Sequence, residues 1–353
     1  MLDGAEVPII IIGYRTPGDI SDCLASLTRL KRPPSFAVTI CENGGPAAFE
    51  ALVDALVAPG GPCAETPAGA TGDIAPNADI FRRLRRLRLG GDGPVVIVGE
   101  ARENLGYAGG INACLRFLAD TPGWVGAWVL NPDTQPEPDA LTELVAYADL
   151  NGKGMVGSRL MYWDNPDIVR TRGLRWRRLA ASPVGVDNYA PVLPPPDPAD
   201  VEARIDSPSG ASFYITRACL DRIGLMDERY FLYFEDLDWG LRAKASCGIG
   251  YAYNSVVPHI GGRSIGSAPA RAARSRLSVY LDFRNRLIFV RHHYSGWFLW
   301  TVAVSLLRAF EYLLVGAVGN FRIALRGTLA GLRGETGRPD AIMAMTVDAR
   351  TPS

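Results

Sequence analysis

Four places in the chain combine residue types that can do chemistry. Glu235, Asp236 and Asp238 lie in LYFEDLDWGLRA (232–243), amid Tyr230, Phe231, Tyr233, Phe234 and Trp239. Carboxylates among aromatics are costly to desolvate unless they are paired, cap a helix or carry chemistry. A carboxylate held there could take the proton of a hydroxyl as a new C–O bond forms. The plainer reading is that all three favour the positive end of a helix. Asp133, in NPDT (131–134), follows an apolar run and projects from a strand end. It could cap the next helix, or hold a hard divalent ion together with phosphate oxygens.

His259, in NSVVPHIGGRSIG (254–266), also stands at a strand end, before a glycine-rich loop. It is one of three histidines; the other two, His292 and His293, belong to a basic stretch. It is either a partly buried, hydrogen-bonded residue or, with Asp133, half of a carboxylate–imidazole site for Mg²⁺ or Mn²⁺. ENLGYAGGINACL (103–115) places glycines at 106, 109 and 110, which is not the G-x-G-x-x-G dinucleotide pattern. Amides of such a turn, opening a helix, can still cradle a diphosphate. A tight strand-to-helix connection needs the same glycines.

The elements that must position these residues follow from hydrophobic patterning. VPIIIIGY (7–14) is a continuous apolar run, as in a buried parallel strand. Ile20, Leu24, Leu27 and Leu30 then recur at helical spacing. FAVTICENGG (36–45), VVIVGEAREN (95–104) and GWVGAWVLNPDT (123–134) give further strands, alternating with helical patterns at INACLRFLAD and DALTELVAYA. This order predicts an α/β domain with a mostly parallel sheet. Ligands of such sheets sit beyond the carboxyl ends of the strands. The polar endings Tyr14-Arg15, Glu42-Asn43, Asn104 and Asn131–Asp133 all fall there. Residues 58–94 read as a flexible insertion; within it IFRRLRRLRLGG sets five arginines against apolar residues, as an anion- or membrane-binding segment or a solvated helix face. Residues 182–201, interrupted by a proline run, read as a long mobile loop before a strand at 212–216.

The charges balance, 37 Lys+Arg against 37 Asp+Glu, so no global polycation argues for nucleic acid. The six cysteines are scattered without a C-x-x-C pair, which points to reduced thiols in a cytoplasmic setting. No basic n-region precedes the first apolar run, so no signal peptide is expected. SGWFLWTVAVSLLRAFEYLLVGAVGN (295–320) is strongly apolar but contains Arg308 and Glu311, and basic residues flank it. It is a poor span. It suits a helix lying in the membrane interface, at the inner face of the cytoplasmic membrane, or else a buried helical hairpin.

GYRTPGDISDCLASL, ICENGG, ENLGYAGGIN, VLNPDT, SGASFYITRACLDRIGLMDERYFLYFEDLDWGLRAK and the H-x-G-G-x-S loop occur in the order seen in family 2 glycosyltransferases. The chain resembles most the rhamnosyltransferase-type branch of that family, from about residue 7 to 266, and the Arg284-Asn285 pair resembles that branch too. The resemblance implies a GT-A fold, Rossmann-like with a mostly parallel sheet flanked by helices, over residues 1–267. A helical, membrane-associating region (268–340) and a disordered tail (341–353) would follow. It implies that Gly13, Tyr14 and Glu42, with the adjoining Arg15 and Asn43, contact the base and ribose of a nucleotide sugar, dTDP-, UDP- or GDP-linked. Family members usually carry Asp where Glu42 stands. Asn104 and the Gly106–Asn112 turn, with Gly109 and Gly110, would line the nucleotide sugar. Asn131 and Asp133 match the D-x-D position, with Asn as its first member, so Asp133 is the metal carboxylate and His259 the metal histidine. Arg263 and Ser264 would face the diphosphate.

Asp236 matches the family's general base, with Glu235 and Asp238 positioning it or the acceptor, and Trp239 and Tyr233 as acceptor walls. The implied activity is metal-dependent, inverting transfer of rhamnose or a related hexose to a saccharide or lipid-linked saccharide of bacterial surface polysaccharide biosynthesis, by a chain that could form a homo-oligomer. A sugar nucleotidyltransferase would need a glycine-rich, basic phosphate loop after the first strand, and GYRTPGD has one glycine before its proline. An inactive nucleotide- or glycan-binding module is the other alternative; Asp133, Asp236 and His259 together argue against it.

Overall fold

The computed structural model describes residues 4–65, 79–261 and 273–347. The chain opens with β1 (Val7–Gly13), α1 (Pro17–Leu27), β2 (Phe36–Glu42) and α2 (Pro46–Val57). There follow β3 (Cys63–Glu65), β4 (Phe81–Leu89), β5 (Val95–Ala101), α3 (Gly106–Leu118), β6 (Gly126–Leu130) and α4 (Ala140–Asn151). The next part holds β7 (Met155–Tyr162), β8 (Val169–Thr171), β9 (Leu174–Arg177), β10 (Ser182–Gly185), α5 (Pro198–Arg204), β11 (Ser212–Thr216), α6 (Arg217–Ile223), α7 (Glu235–Ser246) and β12 (Ile249–His259). Four helices close the chain: α8 (Arg276–His293), α9 (Phe298–Leu314), α10 (Val318–Arg333) and α11 (Asp340–Val347).

One large mixed sheet runs β12-β7-β11-β6-β1-β2-β5-β4-β3, with β8 beside β7. Its centre, β6-β1-β2-β5, is parallel. Every residue of β1 and of β5 is buried, which explains their unbroken apolar runs. Alternation along β1 sends Ile10 and Ile12 into a core under α3 and Val7, Ile9 and Ile11 into the opposite core under α1, α2 and α4. The chain goes from β1 to β2 on one side, then crosses from β5 through α3 to β6 on the other side of β1. The crevice at the carboxyl ends of β1 and β6 is therefore the switch point where such sheets bind ligands. β11 enters antiparallel between β6 and β7.

Three expectations need correction. Residues 81–89 are a strand, neither a helix face nor a flexible segment: β4 pairs antiparallel with β5 and buries Phe81, Leu84, Leu87 and Leu89. Its arginines find carboxylates on the sheet and on α2: Arg83 pairs with Glu100 of β5 at 2.5 Å and with Glu50 of α2, and Arg85 with Glu65 of β3. The 58–94 insertion is thus a sheet edge over its described residues; 66–78 lie outside them. Residues 182–201 are not one loop, because β10 forms a hairpin with β9 and α5 begins at Pro198, capped by the Asp197 side chain accepting from Ala199 N. Within the expected tail, residues up to 347 form α11, with Ile342 buried.

The helical C-terminal region is present. α8 is buried along most of its length, including Arg284, Asn285 and Arg286. α9 shows an inverted pattern: Thr301, Ser305, Ala309 and Tyr312 face inward, while Leu299, Leu307, Phe310 and Leu314 are 54–86% exposed. Residues Ser295–Leu314 are long and apolar enough to cross a membrane by length and composition alone.

Candidate active site

A cavity of about 1000 Å³ opens at that crevice. Strand ends supply one wall. The backbone beyond β6 pairs with the end of β12: Gln135 N donates to Pro258 O, and Ile260 N to Asp133 O, each at 3.0 Å. This bridge brings together two side chains 126 positions apart, with His259 Nε2 3.1 Å from Asp133 Oδ1. Gly261 N donates to Asp133 Oδ2 at 3.0 Å. Burial alone would raise the Asp133 carboxyl, but the imidazole and the amides hold it below the usual range. A carboxylate oxygen and an imidazole nitrogen side by side on a cavity wall are donors that suit Mg²⁺ or Mn²⁺. His259 Nδ1 is buried and has no partner among the described residues, so among them only Nε2 is held, by the Asp133 carboxylate.

A second part of the wall is the N-terminus of α7. Glu235 and Asp236 line the cavity. Asp236 is half-buried; its Oδ2 accepts from Gly210 N at 3.0 Å and its Oδ1 from Leu237 N at 2.8 Å. Burial raises its carboxyl above the ordinary value despite those bonds. Glu235 is buried and raised further, first by burial and then by the charge of Asp236; its Oε2 has no partner among the described residues. Asp238 leaves the site. Its two oxygens meet His293 Nε2 at 2.7 Å and Arg242 Nε at 3.0 Å, and these partners overcome burial to lower its carboxyl. Asp238, His292 and His293 have ligand atoms within 4.8 Å of one another, but Asp238 is already engaged.

The remaining expected residues divide. Tyr14, Arg15, Asn43, Asn104, Gly106 and Asn131 line the cavity. Glu42 does not: it is fully buried, its Oε1 accepts from Arg15 N at 3.1 Å and Gly44 N at 2.7 Å, and burial raises it. It shapes the turn beneath the cavity, and a Cβ at Gly13 would run into its carboxylate. Asn43 ties the second turn, its Oδ1 accepting from Leu105 N and its Nδ2 donating to Gly106 O. Gly110 packs against Ile12 and Asn43, and Gly109 against Leu105. Asn112 is structural, exchanging two bonds with Met226 backbone and donating to Glu228. Trp239 is also structural: fully buried, it donates from Nε1 to Gly224 O at 2.8 Å and stacks edge-on with Phe213. Tyr233 lines the cavity. Arg263 and Ser264 lie outside the described residues.

Tyr107, Arg170 and Arg338 also line the cavity, and the sequence reading singled out none of them individually. Tyr107, inside the glycine-rich turn, donates its OH to Gly210 O at 2.6 Å, and the same hydroxyl lies 2.9 Å from Asn131 Oδ1. Burial, then the nearby Glu235, Asp236 and Asp133, raise it well above an ordinary phenol, so it stays a donor. Its place in G-Y-A-G-G was the available signal. Arg170 donates to Ile260 O at 3.1 Å, and Arg338 reaches back from before α11 to Glu103 at 3.0 Å. Nothing local in the sequence marks either.

No protein-family model matches the chain. It is 24% identical over 251 residues to the low-salt glycan biosynthesis hexosyltransferase Agl10 of Haloferax volcanii, covering 67% of this chain and 76% of that protein. It is 28% identical over 234 residues to the N-acetylglucosaminyl-diphospho-decaprenol L-rhamnosyltransferase of Mycobacterium tuberculosis, covering 58% and 70%. Among solved structures, the mannosyltransferase PcManGT from Pyrobaculum calidifontis, in complex with GDP-Man and Mn²⁺, aligns at 13% identity and TM-score 0.46 over 98% of this chain and 79% of that one. S. aureus TarS 1-349 with UDP-GlcNAc aligns at 12% and 0.47 over 94% and 93%. The chain is a homologue of glycosyltransferases, an L-rhamnosyltransferase among them, with a mixed α/β sheet flanked by helices and a helical C-terminal region.

Proposed function

We propose that the chain is a metal-dependent, inverting glycosyltransferase that moves rhamnose or a related hexose from a nucleotide sugar to a saccharide or lipid-linked saccharide in surface polysaccharide biosynthesis. The supporting observation is one cavity with two kinds of acid. Asp133, kept anionic beside His259, suits the diphosphate end; Asp236, raised and open to the cavity, suits the hydroxyl end. Asp133 and His259 would hold Mg²⁺ or Mn²⁺, which supplies charge stabilisation to a departing diphosphate. Asp236 takes the acceptor's proton as its oxygen attacks the anomeric carbon from the face opposite the diphosphate. The C–O bond to the acceptor forms as that to the diphosphate breaks, which inverts the centre. Glu235, its carboxyl raised by burial and by the charge of Asp236, stands beside the base, and Tyr107 bonds Asn131 and Gly210.

The relatives' printed names, a hexosyltransferase of glycan biosynthesis and a rhamnosyltransferase acting on a diphospho-decaprenol-linked sugar, support the donor and acceptor classes. The outward apolar face of α9 supports work at the inner face of the cytoplasmic membrane. A thermal-shift screen of dTDP-, UDP- and GDP-sugars with and without Mn²⁺ tests the reading, because a ligand of the native state raises its melting temperature. The reading expects a shift for one nucleotide class that grows with Mn²⁺, and release of that nucleoside diphosphate on turnover. Tight binding without turnover of any donor would leave a binding module instead.

A further inference from the structure

We infer that Asn285 and Arg284 of α8 are positioning residues for the reaction, setting the loop that aims Asp236 into the cavity. The inference rests on the proposed role of Asp236 and names the part of the molecule that holds it in place.

Residues 230–234 lead directly into α7, and three of them have left-handed backbones: Phe231 (φ 65°), Tyr233 (φ 69°) and Phe234 (φ 77°). Side chains disfavour that region, and a bulky aromatic there needs surroundings that impose it. No helix-capping side chain secures the start of α7. What secures it comes from α8. Asn285 Nδ2 lies 2.9 Å from Tyr230 O, 2.8 Å from Leu232 O and 2.9 Å from Tyr233 O. One amide therefore gathers three carbonyls that a regular strand or helix would point apart. Arg284 donates from Nη2 to Tyr230 O at 3.1 Å and from Nη1 to Gly337 O at 2.7 Å, and its Nε donates to Asn285 Oδ1 at 2.9 Å, which fixes the direction of the amide. Both side chains are about 1% exposed or less. No carboxylate pairs with the buried guanidinium in these contacts; backbone carbonyls and the Asn285 amide take its protons. Its placement serves this loop.

A further carbonyl of the loop, Phe231 O, accepts from Tyr107 N at 2.8 Å. Tyr107 carries the hydroxyl that meets Gly210, and Gly210 N donates to Asp236. Asn285 thus sets both approaches to Asp236: the chain that leads into it and the turn that bonds its carboxylate. Neither α8 residue lines the cavity, so neither should touch a substrate.

The test uses the full chain and three variants. Asn285→Ala removes the amide that gathers the three carbonyls, Arg284→Lys keeps the charge but loses the fork, and Ile323→Ala opens a cavity in the apolar cluster behind the loop without removing any hydrogen bond to it. Amide hydrogen exchange is read at Tyr107, Gly210 and residues 231–238. dTDP-rhamnose is the first donor tried for binding and turnover. Asn285→Ala should speed exchange at those amides at least tenfold while β1 and β2 stay protected. It should also lower kcat at least tenfold with donor KM within twofold, and Arg284→Lys should fall between it and the wild type. Ile323→Ala should lower the melting temperature without that kcat loss. Unchanged exchange at Tyr107 and 231–238 in Asn285→Ala overturns the inference whatever the donor. So does a kcat loss in Ile323→Ala as large as in Asn285→Ala at a matched loss of stability. Failure of the wild type to turn over any donor counts against the proposed reaction, and the exchange result still decides the loop.

Discussion

Two acids facing one cavity are built in opposite ways. Asp133 stands where two strand ends are bridged by backbone hydrogen bonds, and a histidine and amides draw its carboxyl below the normal range. Asp236 stands at the start of a helix entered through a left-handed loop, and burial drives its carboxyl up. A permanent anion can hold a cation; a carboxylate that binds a proton more readily can accept one from a hydroxyl. In the proposed reaction, this difference of environment suits each acid to its own end. It also explains why the second acid needs support from α8, whereas the first is held by the sheet itself.

The sharpest way to break this contrast is Asp236→Asn. It should lower turnover by about 10²–10⁴-fold, the usual worth of a general base, with donor binding nearly unchanged. In the wild type the acid limb of kcat should lie above the ordinary carboxylate value of about 4. The carboxyl is raised, so it remains protonated and inactive to a higher pH, and activity appears as pH rises through that value. Equal turnover in the variant would remove the assignment.

Asp133→Ala should act on the other limb, weakening Mn²⁺-dependent nucleotide binding by at least about tenfold, as disturbing a ligand sphere does. An unaltered Mn²⁺ titration would merge the two acids into one class.

Asp238→Asn tests whether the third acid belongs to either class. Its partners are Arg242 and His293, so we expect a stability loss of about 2 kcal/mol for charged hydrogen bonds and little change in donor KM. Its carboxyl is lowered in the fold, so its contribution is present above the unfolded value and is lost as pH falls through the folded one. Denaturation below pH 4 should therefore differ less between variant and wild type than at pH 7. The smallest effect belongs to Trp239→Phe, which gives up the bond to Gly224, about 1 kcal/mol, and should leave acceptor kinetics alone. A raised acceptor KM would return Trp239 to the site.

The strand ends were the most legible part of the site. Apolar runs ending in Tyr14-Arg15, Asn43, Asn104 and Asn131–Asp133 place those residues at one edge of a parallel sheet by geometry alone, and all of them line the cavity. Glu42 misled because its chemistry suited a ligand, while the amides of Gly44 in its own turn and of Arg15 beyond β1 claimed it first. Arginine-rich β4 misled because its spacing fits both a helix face and a half-buried edge strand, and only pairing with β5 decides between them. Arg170, Arg338 and the grip of α8 on residues 230–234 depend on contacts between distant segments, for which no local pattern exists.

The sequence by itself determined the α/β order, the edge of the sheet where ligands would gather, and the presence of acids at the start of a helix. Only the tertiary structure decided which surroundings each acid meets. Asp236 and Asp238 are two positions apart on a helix, about 200° around its axis, so they must face different sides. Which one meets the cavity depends on how α8 seats the loop before α7 and on where His293 and Arg242 come to rest. Those are packing contacts between elements up to 55 residues apart, and they are settled only when the helices close against the sheet.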